Sequence, residues 1–175
     1  MSSYLNIYLK PTVKEGESPK EPMYLMSFSR CNEIYSIMIN ELNITFIGND
    51  ENETNYTNIN SEDINSVINS IKKNIKTAKR NHECYLKSRE KDRQSVIDLF
   101  SKSISQAEDR NTINELYEVF SDKLREISDN TDFEEENNEY FDDLEDALTV
   151  AESLQLIIIN LQYDYDFCGM CANFD

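Results

Sequence analysis

The sequence predicts an α+β protein, in which a small N-terminal antiparallel β element with one helix precedes a long-helix hairpin or bundle. Two observations carry this prediction. Short segments near the N-terminus alternate apolar and polar residues, as half-buried strands do. The 120 residues from Asn49 to Cys168 contain neither glycine nor proline, which favours long helices over a sheet that needs turn glycines at short intervals.

The first 48 residues predict a β-hairpin with one helix. Ser3 to Lys10 alternates as a strand, and Met23 to Ser29 predicts a second strand that pairs with it across a long, polar loop. Asn43 to Gly48 is a candidate for a short third strand, and Asn49 to Asn60 is a polar loop. Asn32 is expected to cap a helix that ends near Leu42. Its apolar stripe consists of Tyr35, Met38, Ile39 and Leu42, with Ile34 at the edge.

Residues 61–160 predict a helical bundle or hairpin. Ser61, followed by Glu62 and Asp63, is a favourable helix start. The helical spacing of apolar residues described below is interrupted at Arg89 and Asp92. This is compatible with one long helix that contains a stutter or with two helices joined near Ser88, and we favour one long helix. The seam consists of Ile64, Ile68, Ile71, Ile75, Ala78, His82 and Tyr85, and it resumes one residue out of register with Ile97, Phe100, Ile104 and Ala107.

Two more helices are expected before the C-terminal segment. Asn111 is expected to cap the first helix, which ends at an interruption from Ser128 to Thr131. The second helix is expected to begin at Phe133 or Glu134 and to end near Asn160. Residues 161–175 form either a strand that returns to the N-terminal sheet or a flexible tail; one compact domain is expected overall. The inward positions are Ile113, Leu116, Phe120, Leu124 and Ile127, then Phe141, Leu144, Leu148, Ala151, Leu154 and Ile158.

Charge is distributed unevenly along the chain. The segment from Glu108 to Asp175 contains 20 acidic residues and three basic ones, which accounts for the whole net charge of −17. Glu139, Asp142 or Asp143, and Asp146 recur at helical spacing and so share one face, about 6 Å apart. We hypothesise that this face imitates nucleic-acid phosphates and binds a basic protein partner. The candidate partner-binding residues are Glu134, Glu135, Glu136, Glu139, Asp142, Asp143 and Asp146.

Internal pairing is the simpler alternative for the acidic series. Nine of the 17 basic residues lie between Lys72 and Arg93. If the chain folds back near Asp109, position 80 comes alongside position 138, and the basic run then faces Glu126 to Asp146. Such surface pairs are individually weak but would fix the pairing of a helical hairpin. Direct nucleic-acid binding by the basic run is not expected, because the adjacent acidic helix would repel the phosphates.

No catalytic motif is present, so we predict a protein that is not an enzyme and needs no cofactor. The three glycines lie more than thirty residues apart, which excludes a dinucleotide fingerprint, a Walker loop and a nucleophile elbow. Cys168 and Cys171 have the spacing of a zinc knuckle, and His82 and Cys84 are the weak candidates that could complete it. A helical His-x-Cys pair points its side chains about 200° apart, so no metal site is predicted.

The sequence indicates a cytoplasmic location. It contains no run of about 18 to 20 apolar residues, and Met1 to Lys10 lacks the pattern of a secretory signal. The four cysteines are therefore expected to be reduced. No membrane association is expected, whereas the long helices leave homo-oligomerisation open.

The N-terminal pattern resembles a group of phage proteins. The segment from Tyr4 to Pro11 (YLNIYLKP), the segment from Leu25 to Arg30 (LMSFSR) and the helix from Asn32 resemble the opening of small uncharacterised proteins that phages and prophages of low-GC bacteria encode. The resemblance covers about forty residues and implies no catalytic residues. It implies a setting in which small acidic proteins inhibit host nucleases or defence complexes. The alternative is a phage structural or assembly protein that oligomerises through its long helices.

Overall fold

Four antiparallel strands and four helices form the structure, which confirms the predicted α+β class. The computed structural model describes residues 4–42, 56–129 and 132–174, apart from four side chains, those of Asp132, Phe133, Glu135 and Phe174. The strands are β1 (Tyr4–Pro11), β2 (Met23–Ser29), β3 (Thr57–Ile59) and β4 (Phe167–Phe174), and the helices are α1 (Glu33–Leu42), α2 (Ser61–Gln106), α3 (Arg110–Asp129) and α4 (Asp132–Leu161).

The strands are ordered β2-β1-β4-β3, and every neighbouring pair is antiparallel. The predicted hairpin of β1 and β2 is present, and β1 ends at Pro11, one residue beyond its expected end. In the connecting loop the amide of Glu17 donates to the carbonyl of Lys14 at 3.0 Å, and Gly16 has a φ of 86°, which glycine adopts without steric cost.

One described segment of the sheet differs from the expectation. The stretch from Asn49 to Asn60 was predicted to be a loop, and this prediction is wrong for Thr57–Ile59, which pairs with β4. Three residues carry too little periodicity to predict a strand, so tertiary pairing decides their conformation. Asn43 to Gly48, the candidate third strand, lies outside the described residues. Near the C-terminus, β4 lies between β1 and β3.

The chain divides into two units. The sheet unit comprises Met1–Ile75 and Asp142–Asp175, and the hairpin unit comprises Lys76–Phe141. The sheet unit holds the hydrophobic core, to which one face of the sheet, α1, the start of α2 and the end of α4 contribute. Its largest fully buried side chains are those of Leu5, Ile7, Met38, Ile64, Val67, Ile71, Leu144, Leu154, Met170 and Cys171. Ile37, Val67 and Ala147 belong to this core and were not among the predicted inward positions.

In the hairpin unit, α2 lies antiparallel to α3 and to the first turns of α4. The rings of Phe100 and Phe120 are 5.1 Å apart, and Nζ of Lys79 lies 5.3 Å from the centre of the Phe141 ring. The second contact is close to the expected pairing of positions 80 and 138. α2 continues through Ser88 as one helix.

The hairpin unit buries few apolar side chains. Ala78 is its one buried apolar residue in the described part of the chain. The predicted inward positions of α3 do not form a buried core, since no residue of this helix is buried. Leu116, Phe120, Leu124 and Ile127 are half-buried, and Ile113 is exposed. A pair of helices covers each apolar stripe from one side only, which leaves the edges of the stripe in contact with water.

The caps of α2 and α3 and the first residue of α4 lie one or two residues before their predicted positions. The side-chain oxygen of Asn60 accepts the amides of Glu62 and Asp63 at 2.8 and 3.0 Å, so Asn60 rather than Ser61 caps α2. Asp109, not Asn111, caps α3 in the same way. α4 begins at Asp132 rather than at Phe133 or Glu134. Asn130 and Thr131, within the predicted interruption, lie outside the described residues.

Candidate charged surface of the helical hairpin

The predicted acidic face lies on α4, a helix of 30 residues with ten acidic side chains and no basic one. In the hairpin unit Glu136 and Glu139 are exposed, whereas Glu134 is half-buried beside Arg89. The side chain of Glu135 is outside the described part. In the sheet unit the three predicted aspartates, Asp142, Asp143 and Asp146, are all exposed.

A second row of carboxylates, which the sequence interpretation did not single out, runs along α3. Its members recur every three or four residues, so they share one helical face with an axial spacing of about 4.5 to 6 Å. That face is opposite the half-buried side chains of Leu116, Phe120 and Ile127. The same spacing that identified Glu139 and Asp146 would have identified this row. The row consists of Glu115, Glu118, Asp122, Glu126 and Asp129, all of them exposed.

The basic residues of α2 lie mainly on the outer side of the hairpin unit. Ala78, His82 and Tyr85 face inward, since each is buried or half-buried. At about 100° per residue, positions two residues from this seam point away from it. The exposed bases at such positions are Lys76, Arg80, Lys87 and Lys91. The outer surface of α2 is therefore basic, while those of α3 and α4 are acidic.

Few ion pairs connect the helices. Among the described side chains, Arg89 pairs with Glu134 in the hairpin unit, and Lys72 pairs with Glu152 at 3.2 Å in the sheet unit. Arg93 and Arg125 pair with carboxylates of their own helices at 3.8 and 3.4 Å. Among the described side chains, Lys72 and Arg89 thus link the basic run to α4 by ion pairs, and Lys73 of the same run has an interaction of its own. Within the described part of the acidic face, Glu136, Glu139, Asp142, Asp143 and Asp146 are in no ion pair of this kind.

The weak zinc candidates are not brought together. In β4, Cys168 is exposed and Cys171 is buried. In the hairpin unit His82 is half-buried, and its buried Nδ1 has no hydrogen-bond partner among the residues that the structure describes, while Cys84 is exposed. Over residues 4–42, 56–129 and 132–174, no three His, Cys, Asp or Glu side chains lie close enough together to hold a metal ion.

Asp109 and Cys171 are two of the titratable groups outside the acidic face whose pKa values are shifted. Hydrogen bonds from the hydroxyl and the amide of Thr112 lower the pKa of Asp109. Burial raises the pKa of the Cys171 thiol, although the charge of Lys10 acts in the opposite direction. Both shifts have a structural cause, which is a helix cap for Asp109 and burial within β4 for Cys171.

Comparisons with protein-family models, with curated proteins and with solved structures found no match. None of the described helices combines the length and the apolar character needed to cross a bilayer.

Proposed function

We propose that the chain is a non-enzymatic binding protein, an inhibitor of the phage type, that acts in the cytoplasm of a bacterial host. It presents its carboxylate-rich helical face to a basic partner that handles nucleic acid, such as a host nuclease or defence complex. No cofactor takes part.

The distribution of charge on α3 and α4 supports this proposal. Glu136, Glu139 and the row on α3 are exposed in the hairpin unit, and Asp142, Asp143 and Asp146 are exposed in the sheet unit. Like charges at this spacing destabilise a helix slightly, so a protein without a use for them gains nothing by keeping them. A groove lined with Lys and Arg, of the kind that binds phosphates, would relieve the repulsion.

A capture experiment with matched variants tests the proposal. The immobilised chain is exposed to a lysate of a low-GC host at about 0.05 M and about 0.5 M salt, where screening differs strongly. We expect a basic, nucleic-acid-binding partner that is retained at low salt and lost at high salt. The face variant combines Glu136→Gln, Glu139→Gln, Asp142→Asn and Asp143→Asn. The control removes four exposed carboxylates elsewhere, by Glu15→Gln, Glu21→Gln, Glu83→Gln and Glu108→Gln.

The face variant should lose the partner, and the control should keep it. Equal binding by the two variants, or a partner whose binding does not depend on salt, would contradict the proposal. A nuclease identified in this way should also be inhibited by the wild-type chain and not by the face variant.

The second candidate function is assembly through the long helices. It is favoured by the shortage of burial in the hairpin unit, where one described apolar side chain is buried. A stable multimer that captures no basic partner would support assembly instead of inhibition.

A further inference from the structure

The edge strand β2 offers a row of backbone groups to a further strand. It lies at one end of the strand order, and among the described residues it pairs with β1 alone. From Met23 to Ser29 it contains no charged residue, no proline and no glycine. Proteins usually protect a sheet edge with charges or prolines, or keep the edge strand short. β3, at the other edge, has three residues, whereas β2 has seven, so β2 is the edge suited to strand pairing.

Two large side chains of β2 are exposed beside this edge. Met23 is 48% exposed and Tyr24 is 56% exposed. The ring of Tyr24 contacts that of Tyr8 on β1, with the ring centres 5.9 Å apart, so it is held on the sheet. A strand added beside β2 would cover both exposed side chains, because cross-strand neighbours lie about 4.5 to 5.5 Å apart.

A β-bulge determines which residues of β2 share a face. The register with β1 passes from Met26, opposite Ile7, to Tyr24, opposite Tyr8, so Leu25 is the extra residue. The bulge shifts the alternation of side chains by one position. Residues three apart on either side of Leu25 therefore lie on the same face of the sheet.

The two faces of β2 follow from its partners on β1. Met23 and Phe28 lie on the face that packs on the core, and Tyr24 and Ser27 lie on the outer face. Their partners on β1 are the core residues Leu9 and Leu5 for the first pair, and Tyr8 and Asn6 for the second.

An antiparallel second copy of β2 matches these faces in one central register. This register places Tyr24 of one copy opposite Ser27 of the other, so outer face meets outer face. It also places Met23 opposite Phe28, on the core face. A shift by one residue would place Tyr24 opposite Phe28 or Met26, which belong to the core face. Paired strands do not allow this, because directly opposite side chains lie on the same face.

The same register brings opposite charges together at both ends of the paired strands. It places Glu21 of each copy beside Arg30 of the other. Both side chains are exposed, and within the described part of the chain neither belongs to an ion pair. They stand nine positions apart, about 30 Å along an extended strand, so they cannot pair within one copy. Lys20, the next charged residue, is already paired with Glu17 at 2.9 Å.

We propose that two copies of this chain dimerise through β2, as antiparallel neighbours about a twofold axis perpendicular to the sheet. The two sheets then form one continuous sheet with both cores on the same side, and the interface is isologous. Backbone hydrogen bonds supply affinity, while the matched faces and the two pairs of Glu21 with Arg30 select a second copy over other extended segments. No residue of the acidic face takes part, so the dimer goes beyond the proposed inhibitor function and does not depend on it.

Sedimentation of the full chain tests the edge. At about 0.15 M salt, charges more than about 8 Å apart are largely screened, and we expect a wild-type dimer at micromolar concentration. The edge variant Tyr24→Lys with Ser27→Lys places lysines opposite each other twice and should weaken dimerisation at least tenfold. The control, Ser66→Lys with Tyr165→Lys, makes the same exchanges at exposed positions of the sheet unit outside β2 and should remain dimeric. Circular dichroism establishes that both variants keep their fold.

Two results of this experiment would overturn the proposal. One is a wild type that stays monomeric at 100-fold higher concentration. The other is a dimer that the edge variant forms as strongly as the control, since the copies would then associate through another surface, such as the long helices. Hydrogen exchange gives an independent measurement, because amides of β2 should exchange more slowly in the dimer than in the monomer. Unchanged exchange in β2 on dimerisation would also overturn it.

A charge exchange tests the register. Glu21→Lys places a lysine beside Arg30 of the other copy, and Arg30→Glu places a glutamate beside Glu21, so each variant alone should dimerise about tenfold more weakly than the wild type. An equimolar mixture should restore a dimer, because each end of the paired strands then carries one acidic and one basic side chain. Failure of the mixture to associate while the wild type dimerises would overturn the proposed antiparallel register.

Discussion

Arg89 on α2 and Glu134 on α4 form an ion pair at the point where α3 ends and α4 begins. The same guanidinium donates to the carbonyls of Ile127 at 2.9 Å and Ser128 at 2.5 Å. These carbonyls belong to the last turn of α3, whose acceptors have no partner within the helix. One side chain therefore caps the end of one helix and holds the first turn of the next.

Replacement of Arg89 should loosen the junction between α3 and α4. Arg89→Met removes three charge-assisted hydrogen bonds, each stronger than a neutral one, from a side chain that is 23% exposed. We expect a loss of about 1 to 3 kcal/mol in the free energy of unfolding of the hairpin unit. Arg89→Lys should lose less, since the ammonium keeps the charge but not the planar fork. Urea unfolding, combined with hydrogen exchange of the amides in α3 and α4, measures the loss of stability in each of the two variants.

Arg93 provides the matched control for this prediction. Its side chain is 58% exposed and pairs only weakly, at 3.8 Å, with Glu90 on the same helix. Arg93→Met should therefore change stability by about 0.5 kcal/mol or less. Similar losses for the two methionine variants would mean that Arg89 is an ordinary surface residue.

The role of Arg89 also explains why the apolar rhythm of α2 lapses there. Arg89 follows Tyr85 by four residues and so occupies an inward position of the seam, where it is half-buried. The sequence shows an interruption at this point, and the prediction of one continuous helix was nevertheless correct. A sequence cannot reveal that the partner of the arginine is the end of another helix, because that contact spans 38 residues.

Periodicity predicted which side of each helix faces inward, but not how many neighbours cover it. Ile64, Ile68 and Ile71 are buried as expected, because the sheet and α4 both contribute to their core. Ile97 and Ile113 have the same pattern and remain exposed, because they lie in a two-helix layer. Periodicity is a property of one helix, whereas burial depends on the whole arrangement.

The helix caps were misplaced because several cap-forming residues stand next to one another. Ser61 follows Asn60, and Asn111 follows Asp109 by two, so the sequence offers alternatives that only hydrogen bonds distinguish. At α2 the amide of Asn60 also donates to the carboxylate of Asp63 at 2.8 Å, which makes the cap reciprocal.

Asn60 should therefore matter more to stability than Ser61. Asn60→Ala removes the acceptor for two amides and should lower the free energy of unfolding of the sheet unit by about 0.5 to 2 kcal/mol. Asn60→Asp keeps the acceptor and should be nearly neutral. Ser61→Ala is the control, and a larger loss for Ser61→Ala than for Asn60→Ala in urea unfolding would contradict the assigned cap.

Asp109 should make the start of α3 sensitive to acid. Hydrogen bonds from Thr112 hold the pKa of Asp109 below its ordinary value of 3.8. Its carboxylate therefore stabilises the fold above about pH 4, and this contribution is lost as the pH falls through the lowered pKa. Asp109→Asn keeps an acceptor for the amides and should remove this part of the pH dependence. Glu108→Gln removes the charge of a neighbouring residue that does not cap the helix, so this variant should keep the pH dependence. Carboxyl chemical shifts measured by NMR between pH 2 and pH 6 give the pKa directly, and an unshifted Asp109 would contradict the cap.

Cys171 should react far more slowly than the other three cysteines. Cys31, Cys84 and Cys168 are exposed, whereas Cys171 is fully buried in β4, and burial raises the pKa of its thiol. The thiolate is the reactive form, so a thiol reagent should modify three cysteines rapidly and the fourth only when the sheet opens.

Because the pKa of the Cys171 thiol is raised in the folded state, the native state loses stability as the pH rises above the ordinary thiol value of 9.0. Cys171→Ala should reduce this loss of stability at high pH and leave three thiols that are labelled rapidly. Cys168→Ala should leave two thiols that are labelled rapidly and one that is labelled slowly. Mass spectrometry of the labelled chain distinguishes these patterns, and rapid labelling of Cys171 under native conditions would show that β4 does not remain paired between β1 and β3.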